Sequence, residues 1–345
     1  MSALMMGGTC IIDFAEASAS RLGDNLRLDT LRPLKKTSAK EQVADATAAY
    51  FIDGRRSDDD CVLIVSPPNF PLQVQQAVTR ARAANARLGN GLGSRVCLPL
   101  LADQLHGRTY AVFPRLAGFS DSRFLRRAQT VRAAPSIIAW LAQTLDVTGL
   151  EHSSVSDVEA CFLEPLSLLV SDEQIAPGVR ESARASREMI SAGRVRAVTC
   201  LQHGDFWTGN ILFERSAVRA LSPFMQEFRV IDWAGSKADG YPGIDAVRFL
   251  LSAFGPGRYS ARTLRGYCER ASLSPTDLAV SCLCALGQLG SQLNQFPKER
   301  FVVLVARVHD FLHNSQFTTG LHSRSAERRR SGTISSMPDS VASKI

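Results

Sequence analysis

The sequence lacks the marks of secreted, redox-active and membrane proteins. Its eight cysteines include no CxxC pair, and most lie in apolar runs such as CVLIV at 61–65, as buried thiols do. No Lys or Arg precedes Arg21, so the basic start of a signal peptide is missing. The uncharged segment 278–297 contains three Gln, two Ser and one Asn, which favours a buried helix over a membrane span. These features predict a cytoplasmic protein without a membrane partner.

Excess positive charge is also scarce outside the C-terminal tail. The net charge of the 345 residues is +7, and five basic residues lie within 324–345 alone. No basic stripe with interleaved aromatic residues is present, so nucleic acid is not expected as a partner. The composition, 45% hydrophobic and 21% charged, is that of a folded globular protein with two domains or one two-lobed domain.

The hydrophobic pattern changes from strand-like to helical along the chain. A small antiparallel sheet is predicted from short apolar runs broken by polar segments, at 31–34, 47–53, 61–65, 95–101 and 109–116. An amphipathic helix is predicted at 71–88, ending at Gly89, and helical periodicity dominates from 121 onward. The predicted fold class is therefore α+β, with a small antiparallel-sheet N-lobe and a larger helical C-lobe.

This pattern divides the chain into four parts. Residues 1–20 form an extension without a defined structure, 21–116 the N-lobe, 117–315 the C-lobe, and 316–345 a disordered basic tail.

The residues with the clearest chemistry lie in the C-lobe, in the stretch TCLQHGDFWTGNILF. His203 and Asp205 precede Asn210 by a short loop, and Asp232 follows later at the end of the apolar run RVID. Phosphoryl transfer uses such groups: one carboxylate to accept the proton of the attacking hydroxyl, and an amide and a second carboxylate to bind Mg²⁺ on the phosphates. The spacing from Asp205 to Asn210 equals that in the protein-kinase pattern H-R-D-x-x-x-x-N.

The pattern HGDxxxxN followed by IDW resembles the aminoglycoside phosphotransferase and choline kinase superfamily, which has a protein-kinase-like fold. The later segment GYPGIDAVRFL is similar to the Gly, Pro and Asp signature of that family, at Gly240, Pro242 and Asp245. The resemblance covers roughly residues 28–315 in the order of elements, and only 200–250 is specific in sequence.

The resemblance implies a role for each matching residue. Asp205 would orient or deprotonate the hydroxyl of the acceptor, while Asn210 and Asp232 would bind Mg²⁺. His203 and Asp245 would support the catalytic loop. The phosphate donor would be ATP or GTP, and the acceptor a small molecule with a hydroxyl group, such as an aminoglycoside-like antibiotic, a sugar or an amino alcohol.

The N-lobe departs from the family pattern. In this fold a Lys on the third strand pairs with the phosphates and with a Glu of the following helix. Ile64 occupies the position of the Lys, and the helix 71–88 contains no Glu; Gln75 and Gln76 are its nearest polar substitutes. The absence of both the Lys and the Glu is consistent, because either residue alone would be a buried charge without a partner.

Other nucleotide contacts are predicted only from position. Lys36, or its neighbours Lys35 and Lys40, could reach the phosphates instead, although the loop 36–42 lacks the glycines that let a backbone close over them. The resemblance places the adenine at the interlobe segment 110–116, near Phe113 and Arg115.

Two functions therefore stay open. The chain is either a small-molecule kinase or a kinase-like pseudoenzyme that binds a nucleotide or a protein partner without phosphoryl transfer. The sequence leaves the acceptor, the choice between ATP and GTP, and the oligomeric state open.

Overall fold

The computed structural model describes residues 5–6, 9–23, 26–34, 47–56, 59–214, 227–293 and 297–317. The strands, in chain order, are β1 (Met5–Met6), β2 (Thr9–Cys10), β3 (Leu26–Pro33), β4 (Ala48–Gly54), β5 (Cys61–Val65), β6 (Leu101–Leu105), β7 (Arg108–Pro114), β8 (Leu150–Glu151), β9 (Val198–Gln202), β10 (Ile211–Phe213), β11 (Phe228–Val230) and β12 (Lys237–Gly240). The helices are α1 (Ile11–Leu22), α2 (Gln73–Gly93), α3 (Arg123–Thr148), α4 (Val155–Val158), α5 (Glu164–Ser171), α6 (Pro177–Ser191), α7 (Ile244–Ala253), α8 (Arg258–Arg270), α9 (Pro275–Gly290) and α10 (Lys298–Asn314).

The chain forms two compact units. Unit 1 consists of the described residues within Met1–Gly149, Cys200–Gly240 and Asp245–Phe254, and unit 2 of those within Leu150–Thr199, Tyr241–Ile244 and Gly255–Ile345. The N-terminal part of the chain is an antiparallel sheet and the C-terminal part is helical, which confirms the predicted α+β class. The predicted division at residue 116 stays a prediction.

The sheet of unit 1 has five antiparallel strands in the order β3-β4-β5-β7-β6. Alternating side chains explain its two faces, because Cys61, Leu63 and Val65 of β5 are buried while the residues between them are half-buried. Strands β6 and β7 are joined by His106 and Gly107, both with positive φ (50° and 74°), as the tight turn of a two-residue hairpin requires. The sheet therefore follows the predicted pattern of short strands.

One helix of unit 1 lies where the sequence predicts no element. Helix α1 occupies much of the segment 1–20, and its Ile11 and Phe14 are fully buried in a cluster with Tyr50, Leu63 and Tyr110 of the sheet. Phe14 and Tyr110 meet edge to face, with ring centroids 5.5 Å apart. These contacts join distant parts of the chain, so local periodicity gives no sign of them.

Two predicted boundaries shift by a few residues. Helix α2 extends to Gly93, but Gly89 inside it is non-helical (φ 69°, ψ 179°), so a kink lies at the predicted end. The strand predicted at 95–101 is wrong in position: β6 spans Leu101–Leu105 and shares only Leu101 with the predicted range, where Val96 forms an isolated bridge to Val230. Pro99 lies in the irregular stretch before β6, where it cannot donate to a strand ladder.

Unit 2 is built mainly from helices α4 to α6 and α8 to α10. Helix α9 lies within the uncharged segment and is buried over most of its length, as the sequence predicts. Gly287 allows α9 to approach the start of α5, because a Cβ there would lie 2.0 Å from the carbonyl oxygen of Pro165. Among the described residues, no helix is both long and apolar enough to cross a membrane. Lys36 with its neighbouring lysines, the loop 36–42 and the tail from 318 onward lie outside the described residues.

Candidate active site

The predicted catalytic loop begins where buried strand β9 ends in unit 1. Gly204 has a φ of +82°, and a Cβ at this position would lie 2.6 Å from the carbonyl oxygen of Gly235. Both the backbone angle and the close approach require glycine. The turn at Gly204 separates the buried His203 from the half-buried Asp205.

Asp205 and Asn210 are held together within this loop. The Nδ2 of Asn210 donates to the Oδ2 of Asp205 at 3.1 Å and to the backbone oxygen of Asp205 at 2.8 Å. Asn210 is only 6% exposed and ends a short 3₁₀ turn, Thr208–Asn210. No residue in the described part of the chain donates to its Oδ1, which is left as a hard oxygen ligand.

Asp232 follows β11 in an uncommon backbone conformation. Its φ and ψ are 62° and 61°, the left-handed region, which costs a residue other than glycine about 1–3 kcal/mol and is concentrated at functional sites. Desolvation raises the pKa of the Asp232 carboxyl, and the negative charge of Asp205 raises it further. The backbone N–H of Ile231, next to Asp232, donates to the carbonyl oxygen of Asn210 at 3.0 Å and so ties this segment to the loop. A divalent cation relieves repulsion between two such carboxylates.

His203 links the loop to the segment that leads into Asp232. Its Nδ1 accepts from the backbone N–H of Asp205 at 3.2 Å, and its Nε2 donates to the carbonyl oxygen of Ile231 at 2.9 Å. These partners assign a neutral ring with the proton on Nε2. The ring is buried and meets Trp233 edge to face at 4.8 Å. His203 therefore holds Asp205 and the region of Asp232 in a fixed relation.

Asp245, in the first turn of α7, holds the loop from the other side. Its carboxylate accepts the backbone N–H of His203 at 2.7 Å and that of Gly204 at 3.1 Å. Burial raises the pKa of the Asp245 carboxyl, and the backbone N–H groups of His203 and Gly204 and the charge of Arg248 lower it. The structure therefore brings together the residues predicted for catalysis, loop support and metal binding.

Two further residues of α7, which the motif does not indicate, also contact the loop. The guanidinium of Arg248 donates to the carbonyl oxygen of Gly204 and to the Oδ1 of Asp205. The Oγ of Ser252 accepts the backbone N–H of Thr208 at 3.1 Å. The spacing 245, 248, 252 places all three on one helix face, and this periodicity was the available signal.

The residues present fit a magnesium ion bound together with nucleotide phosphates. Among the described residues, no group of three or more His, Cys, Asp or Glu could hold a metal. Asn210 and Asp232 offer two oxygen ligands, and Mg²⁺ is bound through one or two carboxylates with waters and substrate phosphates rather than by an all-protein cage. This ligand set suits Mg²⁺ only when a nucleotide supplies the rest.

An apolar cluster surrounds Ile64, the residue expected at the position of the family's Lys. Ile64 packs with Val74 and Val78 of α2 and with Ala111 and Phe113 of β7. The side chains at this place between the sheet and α2 are hydrophobic, so neither Lys nor Glu is needed to hold the helix.

The structure does not bring the other predicted nucleotide contacts that it describes to Asp205, Asn210 and Asp232. Phe113 belongs to the apolar cluster just described. The Nη1 of Arg115 lies 3.0 Å from Asp53 and 3.2 Å from Asp60, and its guanidinium stacks on Phe51 at 4.3 Å. Lys36 lies outside the described residues.

Comparison with solved structures shows the same fold in several kinases. The chain is similar to a thermostable variant of aminoglycoside phosphotransferase APH(4)-Ia in a ternary complex with AMP-PNP and hygromycin B (TM-score 0.56, 14% identity, covering 87% of this chain and 98% of that one). It is also similar to a putative fructosamine-3-kinase from Haemophilus somnus 129PT (TM-score 0.51, 11% identity, 87% and 96%). A third is wild-type aminoglycoside 2'-phosphotransferase-IIIa with GDP (TM-score 0.52, 13% identity, 88% and 98%). These likenesses confirm the predicted kinase-like fold.

Comparison at the level of sequence identifies the family. A search of curated proteins gives no match. The model of the phosphotransferase enzyme family (APH) matches residues 42–279, which is more than half of the chain and includes the catalytic loop, Asp232 and Asp245. The chain belongs to the phosphotransferase enzyme family.

Proposed function

We propose that this protein is a Mg²⁺-dependent phosphotransferase that moves the γ-phosphate of ATP or GTP to a hydroxyl group of a small molecule. The observation that carries the proposal is the arrangement of Asp205, Asn210 and Asp232. The carboxylate of Asp205 is half-exposed on a braced loop and accepts the Asn210 amide at 3.1 Å, and the backbone N–H of Ile231, next to Asp232, donates to the carbonyl oxygen of Asn210 at 3.0 Å.

The chain's own residues supply positioning and charge. The Asp205 carboxylate accepts the hydrogen bond of the acceptor hydroxyl, aims its oxygen at the γ-phosphorus, and takes the proton as the new oxygen–phosphorus bond forms. The bond from the γ-phosphorus to the β–γ bridging oxygen breaks in the same step, and ADP or GDP leaves. Asn210 and Asp232 hold Mg²⁺, which when bound offsets the charge of the phosphates. His203 and Asp245 keep the loop in place, so little reorganisation accompanies the transfer.

The similar structures guide the choice of donor and acceptor. One holds AMP-PNP with hygromycin B and another holds GDP, and a third is a putative fructosamine-3-kinase. By analogy, we propose ATP or GTP as the donor and an aminoglycoside-like compound, a sugar or an amino alcohol as the acceptor. The analogy rests on fold, so each acceptor class needs its own assay.

The apolar cluster around Ile64 favours a second candidate, a kinase-like pseudoenzyme. Without the Lys of the third strand, the phosphates lose a cation that the family pattern provides. Such a protein would bind a nucleotide or a partner and transfer nothing. The intact set of Asp205, Asn210 and Asp232 favours the enzyme.

Substitution of Asp205 separates the two candidates. The wild type and Asp205→Asn would be incubated with Mg-ATP and with Mg-GTP and pools of the three acceptor classes, and release of ADP or GDP would be followed. We expect the variant to lose turnover by about 10²- to 10⁴-fold, the usual contribution of a general base, while nucleotide affinity is unchanged. Asp310→Asn is the matched control, because the Asp310 side chain is 74% exposed and lies in α10 of unit 2.

Two results would count against the enzyme. Full activity in Asp205→Asn would show that the catalytic carboxylate lies elsewhere. A folded wild type that binds nucleotide and turns over with no acceptor class would support the pseudoenzyme.

A further inference from the structure

Helix α7 contacts the catalytic loop at three successive points along one face. Asp245 accepts two backbone N–H groups at the start of the loop, and Ser252 accepts the N–H of Thr208 near its end. Arg248 lies between them on the helix. Its guanidinium reaches the loop at the residue that carries the chemistry, Asp205.

Arg248 contacts both the side chain and the backbone of this part of the loop. Nη2 donates to the Oδ1 of Asp205, and Nη1 donates to the carbonyl oxygen of Gly204. Because the guanidinium is a rigid planar fork, two such bonds fix its orientation, and a flexible ammonium would not do the same. Within the described residues this is the one ion pair of Asp205.

The Asp205 carboxylate is consequently held at both oxygens. Arg248 holds Oδ1, and the Nδ2 of Asn210 holds Oδ2 at 3.1 Å. The Arg248 side chain is 19% exposed and that of Asp205 is 43% exposed, so the carboxylate stays accessible to an acceptor while the arginine is mostly buried. Rotation of the carboxylate about its χ angles would break one bond or the other.

The charge of Arg248 also matters at this site. Arg248 forms an ion pair with Asp205, while Asp245 bonds to the backbone of the two residues before it, and the charge of Asp205 also acts on Asp232. A polyanionic nucleotide approaches this group of negative charges. The guanidinium offsets one of them in a partly desolvated place, where Coulomb interactions are stronger than in water.

We propose that Arg248 is a positioning residue for phosphoryl transfer, which acts by fixing the Asp205 carboxylate in the orientation that the acceptor hydroxyl requires. The inference rests on the proposed function and deepens it, because it adds a residue that neither the motif nor the resemblance assigned. Arg248 works through Asp205 and need not touch either substrate. A reacting group misplaced by about 1 Å can cost roughly 10²-fold in rate.

The test compares Arg248→Gln and Arg248→Lys with the wild type. Arg262→Gln is the matched control, because Arg262 is exposed on α8 and has no ion pair among the described residues. Turnover of Mg-ATP and of Mg-GTP is measured with water as the only acceptor and with the acceptor pools. We expect kcat of Arg248→Gln to fall by about 10²-fold with KM for the nucleotide nearly unchanged, and Arg248→Lys to recover part of the loss.

Hydrogen exchange supplies a readout that needs no turnover. Loss of hydrogen bonds to a charged group is worth enough to speed local opening by about tenfold or more, so amides at 203–210 should exchange faster in Arg248→Gln. Amides of α9 in unit 2 serve as the internal reference and should not change. Arg262→Gln should match the wild type in both assays.

Each outcome decides the proposal. A folded Arg248→Gln with kcat within about twofold of an active wild type, or with unchanged exchange at 203–210, would overturn the role of Arg248 and leave the proposed function intact. A wild type without any turnover would overturn both together. A change in KM as large as the change in kcat, together with faster hydrogen exchange throughout the chain, would indicate a merely structural residue. This result would also overturn the proposal.

Discussion

The substitution Asp245→Asn should show whether turnover depends on the geometry of the loop 203–210 or only on the overall stability of the protein. Asp245 is 7% exposed, and each of its carboxylate oxygens accepts one backbone N–H, from His203 and from Gly204. Asn has nearly the same shape but only one acceptor oxygen. Its NH₂ group would therefore face one of the two N–H donors, and no cavity would form.

The expected cost follows from these two bonds. One buried N–H loses its acceptor, which costs about 1–3 kcal/mol, and the second bond is retained at the neutral amide oxygen. This is a large part of a total stability of about 5–15 kcal/mol, yet the variant should still fold. The released N–H belongs to His203 or Gly204, so the loop that carries Asp205 moves, and we expect turnover to fall by about 10²-fold.

Asp277 provides a matched control in unit 2. It too is a buried Asp in the first turn of a helix, and its carboxylate accepts two backbone N–H groups, from Arg196 and Ser274, both at 2.9 Å. Asp277→Asn should thus lose a similar free energy of unfolding with little loss of turnover. Urea unfolding would be followed by circular dichroism for both variants. Fluorescence of the three tryptophans, all in unit 1, would report on Asp245→Asn.

An equal loss of turnover in the two variants would refute this explanation. If Asp277→Asn lost as much turnover as Asp245→Asn at the same stability, the loss would come from stability and not from the loop. Unchanged stability of Asp245→Asn would show that its two hydrogen bonds contribute little.

Other parts of unit 1 give three further predictions. Gly240→Ala should lower the free energy of unfolding in urea by about 1–3 kcal/mol, because the new Cβ would lie 2.2 Å from the Cβ of Gln202. An unchanged free energy of unfolding would mean that β12 shifts freely. Burial raises the pKa of the Cys61 and Cys97 thiols to about 11, so at pH 8 each has roughly a hundredfold less thiolate than a free cysteine. Iodoacetamide should then label them in urea and not in the native protein, as mass spectrometry of both samples would show. Ile64→Lys should lower stability by about 1–4 kcal/mol without tightening nucleotide binding, because the surrounding cluster offers no carboxylate; tighter binding in calorimetry would contradict this.

Features that depend on neighbouring residues could be predicted from the sequence. The contacts within the loop 203–210 are one, because His203, Asp205 and Asn210 lie in one short motif. The strands around 61–65 are another, since alternation of buried residues is a local pattern. Helix α2 was also predicted, but its end was expected at Gly89, where the structure has a kink and the helix continues to Gly93.

Features that depend on tertiary contacts could not be predicted from the sequence. Helix α1 is short and rich in Ala and Ser, and burial of Phe14 against Tyr110 stabilises it from far along the chain. The contact of Arg248 with Asp205 depends on how α7 lies against the loop, which a single sequence does not reveal. Ile64 was expected at the position of the family's Lys, which stays a prediction, and the sequence did not reveal that Val74 and Val78 belong to the cluster packed against it.

Calorimetric titration with ATP and with GTP, each with and without Mg²⁺, tests the central claim most directly. The account predicts Mg²⁺-dependent binding of at least one nucleotide, and its loss in Asp232→Asn, because Asp232 is a proposed metal ligand. Thermal melting of both proteins would confirm that they are folded. A folded wild type that binds neither nucleotide, or Asp232→Asn binding as tightly as the wild type, would contradict the account.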